Sequence, residues 1–233
     1  MSKAKRKQAA IEKQKHDRQK SLLVLGTIIV VVVAGVSAMY FGMQGQSDAE
    51  APVDEQRQAA LASEHAPTMG NPDARVHIVE FLDPACETCA LFFPMVKDWL
   101  KEEPEKLRLS VRHVAFHEGA DYVIRVLEAS RKQDKYWETL EALLTTQSQW
   151  AINHVVQPDR VLPAIASVGL DEEKLLAEMN GVDVLAHIEK DKKDSIQLRV
   201  SATPEYFVNG RQMSSFGRQQ LLDLVREEMD AAY

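Results

Sequence analysis

VHIVEFLDPACETCALFFP, residues 76–94, decides how the rest of the chain is read. Its first part, VHIVEFLD, is rich in β-branched and aromatic residues and lies between the turn-forming NPD and DPA, which predicts a strand. Val76, Ile78, Glu80 and Leu82 fall on one face and Val79 and Phe81 on the other. Both faces are apolar, as expected of a central strand covered on both sides. The last part, ALFFPMVKDWLKEE, spaces its apolar residues as a helix does, with Pro94 placed to kink it. Between strand and helix stand Cys86 and Cys89, the 2 cysteines of the 233-residue chain.

A Cys-x-x-Cys pair can be half of a zinc site, a redox dithiol, or two small buried hydrophobes. The order strand, short turn, helix places Cys86 at a helix start and Cys89 one turn in. There the unpaired N–H groups and the positive end of the helix dipole stabilise a thiolate, the reactive form of cysteine. Cys86, at the exposed tip, is the expected nucleophile, and Cys89, tucked against the helix, the resolving thiol. A zinc site needs further ligands, and RHVAFHE supplies His113 and His117. The long separation from Cys89 does not fit a compact finger, however, and His113 alternates with Leu107, Leu109 and Val111 on a strand, which suits a structural role.

Composition is that of a folded protein, 45% hydrophobic and 27% charged, with a formal net charge of −7. The charge is unevenly placed. Residues 1–20 hold eight Lys or Arg against Glu12 and Asp17, whereas residues 21–233 hold 20 basic against 33 acidic side chains. LLVLGTIIVVVVAGVSAMYF, residues 22–41, contains no charge. At about 1.5 Å per residue it spans a hydrocarbon core of about 30 Å. This predicts a transmembrane helix preceded by a cytoplasmic basic segment, 1–21, with everything beyond it exported under the positive-inside rule. A cleaved signal peptide, with VSA at 36–38 as the cleavage site, is the competing expectation. The basic residues are those of a membrane flank, and no nucleic-acid partner is expected. Residues 42–66 are polar, acidic and Ala-rich, with a short possible helix around Asp54–Glu64, and read as a linker.

The chain resembles the thioredoxin-fold thiol–disulfide oxidoreductases, and among them the DsbA-like family of bacterial envelope proteins. The resemblance covers residues 67–233. In that family a carboxylate stands six residues before the first cysteine and a proline often follows in the active-site helix, positions occupied here by Glu80, Cys86 and Pro94. It also implies a helical insertion in the thioredoxin core, matched by residues 118–185, where the pair Tyr136 and Trp137 resembles an aromatic helix of these proteins. VSATPEYFVNGR, residues 200–211, is similar to the segment that places a cis-proline opposite the dithiol, which makes Thr203 and Pro204 the expected contact for an extended substrate chain. The amphipathic RQQLLDLVREEMDA then closes the chain as a helix over the sheet.

One departure concerns redox tuning: Glu87 and Thr88 separate the cysteines, where strongly oxidising members carry Pro-His. An acidic neighbour does nothing to favour a thiolate, and a less stabilised thiolate moves such a protein toward reductase or isomerase behaviour, so the direction, oxidase, reductase or isomerase, stays open. The resemblance thus implies an α/β thioredoxin-like domain behind one transmembrane helix, in the bacterial inner membrane and facing the periplasm. Its implied activity is disulfide exchange with cysteine-containing envelope proteins, with a membrane redox partner to recharge the dithiol and no metal or organic cofactor. Glu80, on an apolar strand, is the expected proton acceptor for Cys89. An exported metal-binding or metal-delivery module using the Cys pair is the alternative.

Overall fold

The computed structural model describes residues 53–61 and 64–233. The basic segment, the predicted membrane span and most of the 42–66 linker lie outside these residues. Among the described residues no helix is long and apolar enough to cross a membrane.

The sheet is built around the strand read from the sequence. β2 (Val76–Leu82) runs parallel to β3 (Leu107–His113), the two being joined through α2 (Glu87–Glu102). β1 (Thr68–Gly70) pairs antiparallel outside β3, and β6 (Glu205–Val208) antiparallel on the other side of β2, followed by β7 (Arg211–Gln212). The order is β1-β3-β2-β6-β7, so β2 is central, and all its residues but His77 are buried. β6 and β7 are joined by Asn209-Gly210, with φ of 47° and 83°, the left-handed pair that a two-residue hairpin turn requires.

Alternation along β2 divides the apolar interior in two. Ile78 and Leu82 face the larger cluster, with Phe92, Phe93 and Val96 of α2 and Leu221 of α9 (Arg218–Ala232). Val79 and Phe81 face a smaller cluster closed by Phe207, Leu198 and the end of α1 (Val53–Leu61), where Ala60 and Leu61 are buried. The packed unit therefore includes the last part of the expected linker: the apolar end of α1 covers the second sheet face, which the domain expected from residue 67 would leave open.

The insertion follows β3 as α3 (Ala120–Ser130), α4 (Tyr136–Thr145), α5 (Gln147–Trp150), the hairpin β4 (Ala151–Ile152) and β5 (Val155–Val156), α6 (Pro158–Ala164), α7 (Glu172–Glu178) and α8 (Val182–Gln197). Tyr136 and Trp150 are core residues. Helical structure runs past the expected boundary at 185, to Gln197, because α8 buries mainly polar side chains, Asp191, Asp194 and Ser195, and carries little apolar periodicity.

Those buried acids meet a buried arginine. Arg112 of β3, fully enclosed, donates from Nε to Asp191, from its terminal nitrogens to Asp194 at 2.6 Å and to the Ala60 carbonyl at 2.7 Å. Asp191 also accepts from the His113 backbone N–H at 2.7 Å. One guanidinium thereby ties α8 and α1 to the sheet. His113 itself is structural, its Nε2 2.9 Å from the Tyr136 hydroxyl and its Nδ1 3.4 Å from Glu128. Burial raises the Glu128 carboxyl, but His113, Arg131 and His187 outweigh it and hold the group at about 2. Removing one partner from such a network strands buried charge. Arg112→Ala is therefore expected to lower the unfolding free energy by about 3–5 kcal/mol, as read by urea denaturation.

Candidate active site

The dithiol is placed by the turn between β2 and α2. Asp83, fully buried, accepts from the Ala85 N–H at 2.8 Å through one carboxylate oxygen. Its other oxygen accepts from the Phe116 and His117 N–H groups at 2.7 and 2.8 Å and lies 2.9 Å from His117 Nδ1. Cys86 N–H closes the turn on the Asp83 carbonyl at 3.0 Å. Gln147 of α5 reaches in from the insertion and donates to the carbonyls of Pro84 and Cys86 at 2.8 and 3.0 Å. Cys86 becomes the N-cap residue of α2, with Cys89 buried in the first turn.

Both cysteines are free thiols. Cys86 is less open than the exposed tip expected from sequence: 6% of its surface is accessible, against none of Cys89. The cause is the Thr203–Pro204 segment, whose peptide bond is cis and whose Thr203 carbonyl accepts from Cys86 Sγ at 3.3 Å. The two thiols titrate apart. Cys86 is lowered from 9.0 to about 5, chiefly by a hydrogen bond from the Cys89 thiol and further by Thr203 and the backbone N–H groups of Cys89 and Thr88, against the opposing effect of burial. Cys89 is pushed well above 9.0 by burial, by its bond to Cys86 and by the Glu80 charge.

Glu80 lies on the β2 face that looks toward α2, fully buried, and neither carboxylate oxygen has a hydrogen-bond partner. Burial raises it from 4.5 to about 8; the Tyr206 hydroxyl lowers it, and the Cys86 charge raises it. Tyr206, directly opposite on β6, is also fully enclosed, close enough to act on Glu80 electrostatically but outside hydrogen-bond geometry. Of the residues picked out by sequence, Cys86, Cys89, Glu80, Thr203 and Pro204 converge, and Thr88 contributes its backbone N–H. Glu87 is turned to the insertion, its Oε2 3.0 Å from His154 Nδ1. Sequence reasoning missed Asp83, Gln147, Tyr206 and His154. Tyr206 was within reach, because strand alternation places it on the face of Pro204; the others are brought in by tertiary contacts.

The metal alternative finds no ligand set. His113 is engaged by Tyr136 and Glu128, and His117 by Asp83. Among the described residues no group of three His, Cys, Asp or Glu side chains could hold a metal ion.

A mixed sheet, a Cys-x-x-Cys pair at a helix N-terminus and a cis-proline loop against the first sulfur define a thioredoxin-fold protein with a redox dithiol. The family model described as Thioredoxin matches residues 62–226, and the chain belongs to that family, as a DsbA-like thioredoxin-fold oxidoreductase. It is 28% identical to a crystal structure of a thioredoxin-like oxidoreductase from Silicibacter pomeroyi DSS-3, with a TM-score of 0.64 over 75% of this chain and 98% of that one. It is 23% identical over 152 residues to the thiol:disulfide interchange protein DsbA of Bordetella parapertussis, covering 64% of this chain and 70% of that protein. It is also 28% identical over 144 residues, 62% of its length, to the Na(+)/H(+) antiporter NhaA of Herminiimonas arsenicoxydans, of which it spans only 22%.

The raised Glu80 has a stability consequence. The folded chain keeps a proton that the unfolded chain releases above pH 4.5, so the group's favourable contribution is complete below 4.5 and is lost as pH rises to about 8. Glu80→Gln is expected to stabilise the reduced protein by on the order of 2–4 kcal/mol at pH 8 and far less at pH 5. Urea denaturation at the two pH values measures the difference.

Proposed function

We propose that the chain is a membrane-anchored thiol–disulfide oxidoreductase, facing the periplasm, that works as an oxidant of cysteine-containing client proteins. The observation that carries the oxidising direction is the separation of the two thiols, Cys86 held at about 5 and Cys89 pushed far up. A stabilised thiolate favours the reduced enzyme, which makes its disulfide a strong oxidant.

In the proposed cycle a client thiolate attacks Cys86 Sγ of the Cys86–Cys89 disulfide. The client–Cys86 bond forms, the Cys86–Cys89 bond breaks, and the electron pair leaves on Cys89. Cys89 then takes a proton, for which Glu80, neutral below about pH 8, is the donor within the closed interior. A second client thiolate attacks the client sulfur and expels Cys86 as a stable thiolate. Two electrons pass to the enzyme; of the two protons the client thiols release, one restores Glu80 after its own proton has passed to Cys89, and one goes to solvent. In the reverse direction Glu80 receives the Cys89 proton. Thr203 and Pro204 line the approach to Cys86, where an extended client backbone can pair. Phe116, 49% exposed beside the Asp83 turn, supplies apolar contact for an unfolded client.

Anchoring and orientation rest on the uncharged span 22–41 behind eight basic residues. The membrane also places the domain beside a redox partner able to reoxidise it. A C-terminal reporter active only outside the cytoplasm is expected to be active on this chain; activity of a cytoplasm-only reporter overturns the orientation.

Cys89→Ser leaves the attacking thiol without its resolving partner and is expected to accumulate mixed disulfides with envelope proteins, visible on non-reducing gels. Cys86→Ser is expected to accumulate none and to abolish exchange; the opposite pattern reverses the roles. Equilibration of the full-length chain with glutathione buffers tests the direction. An oxidant is reduced at poises that leave thioredoxin oxidised, and a potential at or below about −270 mV makes the protein a reductase.

A further inference from the structure

The insertion reaches the dithiol a second time, from a place the exchange cycle does not use. The β4–β5 hairpin turns on Asn153 and His154, both left-handed at φ 53° and 64°. Histidine in this conformation is uncommon, and a two-residue hairpin turn is usually Asn-Gly or Asp-Gly. The hairpin is held firmly. Val156 N–H donates to the Glu118 carbonyl at 3.0 Å, and Gln157 N–H to the Trp150 carbonyl at 2.7 Å. Gly119, at φ 78°, lies so close that a Cβ there would come within 2.9 Å of Val156 Cβ.

This anchoring aims the His154 ring at two groups. Nδ1 lies 3.0 Å from Oε2 of Glu87, the residue directly after Cys86. The ring also stacks on His117 at 5.4 Å between centroids and 17° between planes, and His117 Nδ1 is in turn 2.9 Å from the buried Asp83. Asp83, His117, His154 and Glu87 form a row of two stacked imidazoles with a carboxylate at each end, from the one that builds the active-site turn to the one beside the nucleophile. The titratable groups facing His154 are Glu87 from α2 and His117 from the loop after β3, with Asp83 behind it. Glu118 approaches the hairpin through its backbone, by a bridge to Val155.

A lone Glu87 would set a negative charge next to the Cys86 thiolate and disfavour it. We propose that His154 is a positioning residue for disulfide exchange: it holds Glu87 toward the hairpin and, when protonated, neutralises it, so that the helical insertion sets the redox poise of the dithiol. Protonated His154 and the Cys86 thiolate favour one another, so that whatever charges the imidazole makes the protein a stronger oxidant. The acid between the cysteines is then compatible with a stable thiolate, and the Glu-Thr pair becomes pH-responsive instead of simply weakening.

The inference rests on the exchange reading, and the experiment keeps the two separate. His154→Asn removes the cation yet suits the left-handed turn, since Asn tolerates that conformation. The full-length wild type, H154N, E87Q and the double variant are equilibrated with glutathione buffers at pH 6 and pH 8, and the Cys86 thiolate is titrated by its ultraviolet absorbance. H154N is expected to shift the equilibrium toward the oxidised enzyme by about two- to fivefold at pH 6, the range set by a solvent-exposed ion pair. The shift shrinks at pH 8, shrinks again in the E87Q background, and is matched by a higher apparent pKa of Cys86. No shift at pH 6, or an equal shift at both pH values and with or without Glu87, overturns the proposal and leaves His154 as a turn residue. A wild-type chain that exchanges no disulfide with glutathione overturns the exchange reading itself.

Discussion

The Asp83 carboxylate at the end of β2 fixes where the chemistry takes place. One oxygen receives the N–H of Ala85 and the other gathers the N–H groups of Phe116 and His117, with the His117 ring beside it. These contacts join the turn before α2 to the loop after β3, so that two neighbouring parallel strands present their C-terminal ends as one rigid rim. Cys86 leaves that rim as the N-cap of α2, where the Cys89 thiol and then the helix's own N–H groups favour its thiolate. Gln147 and the Thr203 carbonyl then close on Cys86 from the insertion and from the loop before β6. A buried carboxylate is tolerable here because donors saturate it.

Glu80 is the opposite case. It stands three residues earlier on the same strand, equally buried, with no donor on either oxygen, and it stays neutral to about pH 8. Two acids three residues apart in sequence thus stand in opposite environments. Satisfied, Asp83 is architecture; unsatisfied, Glu80 is the group proposed to exchange a proton with a thiol whose own pKa is driven up. Such groups cost stability and persist where chemistry needs them.

The helical insertion is bound to the sheet by polar contacts as well as apolar ones. Arg112 holds α8 through Asp191 and Asp194, Gln147 holds the dithiol turn, and His154 meets Glu87. It therefore covers the sheet and also touches the reacting loop at two separate points. On the proposed role of His154, changes in the insertion tune the sulfur chemistry without altering the Cys-x-x-Cys segment.

Local rules acting along the chain made much of this legible in the sequence. Period-two hydrophobicity on both faces marked β2 as central, the cysteine spacing at a strand–helix junction marked the dithiol, and Thr203-Pro204 followed by an Asn-Gly hairpin marked the loop opposite. Burial of Glu80 followed from its place on an apolar strand, whichever face it took. The end of α8 and the packing of α1 were not legible, because α8 buries carboxylates that read as surface and α1 covers the sheet with a single short apolar patch. Nor did the sequence alone determine the partners of those acids: Asp191 and Asp194 find Arg112 across the fold, and Glu87 finds His154, 67 residues further along the chain. An acid beside a thiolate looks unfavourable when only its neighbours in the chain are considered. Its effect is decided by the charge that the tertiary fold sets against it, because Coulomb interactions follow distance in space and not separation along the chain.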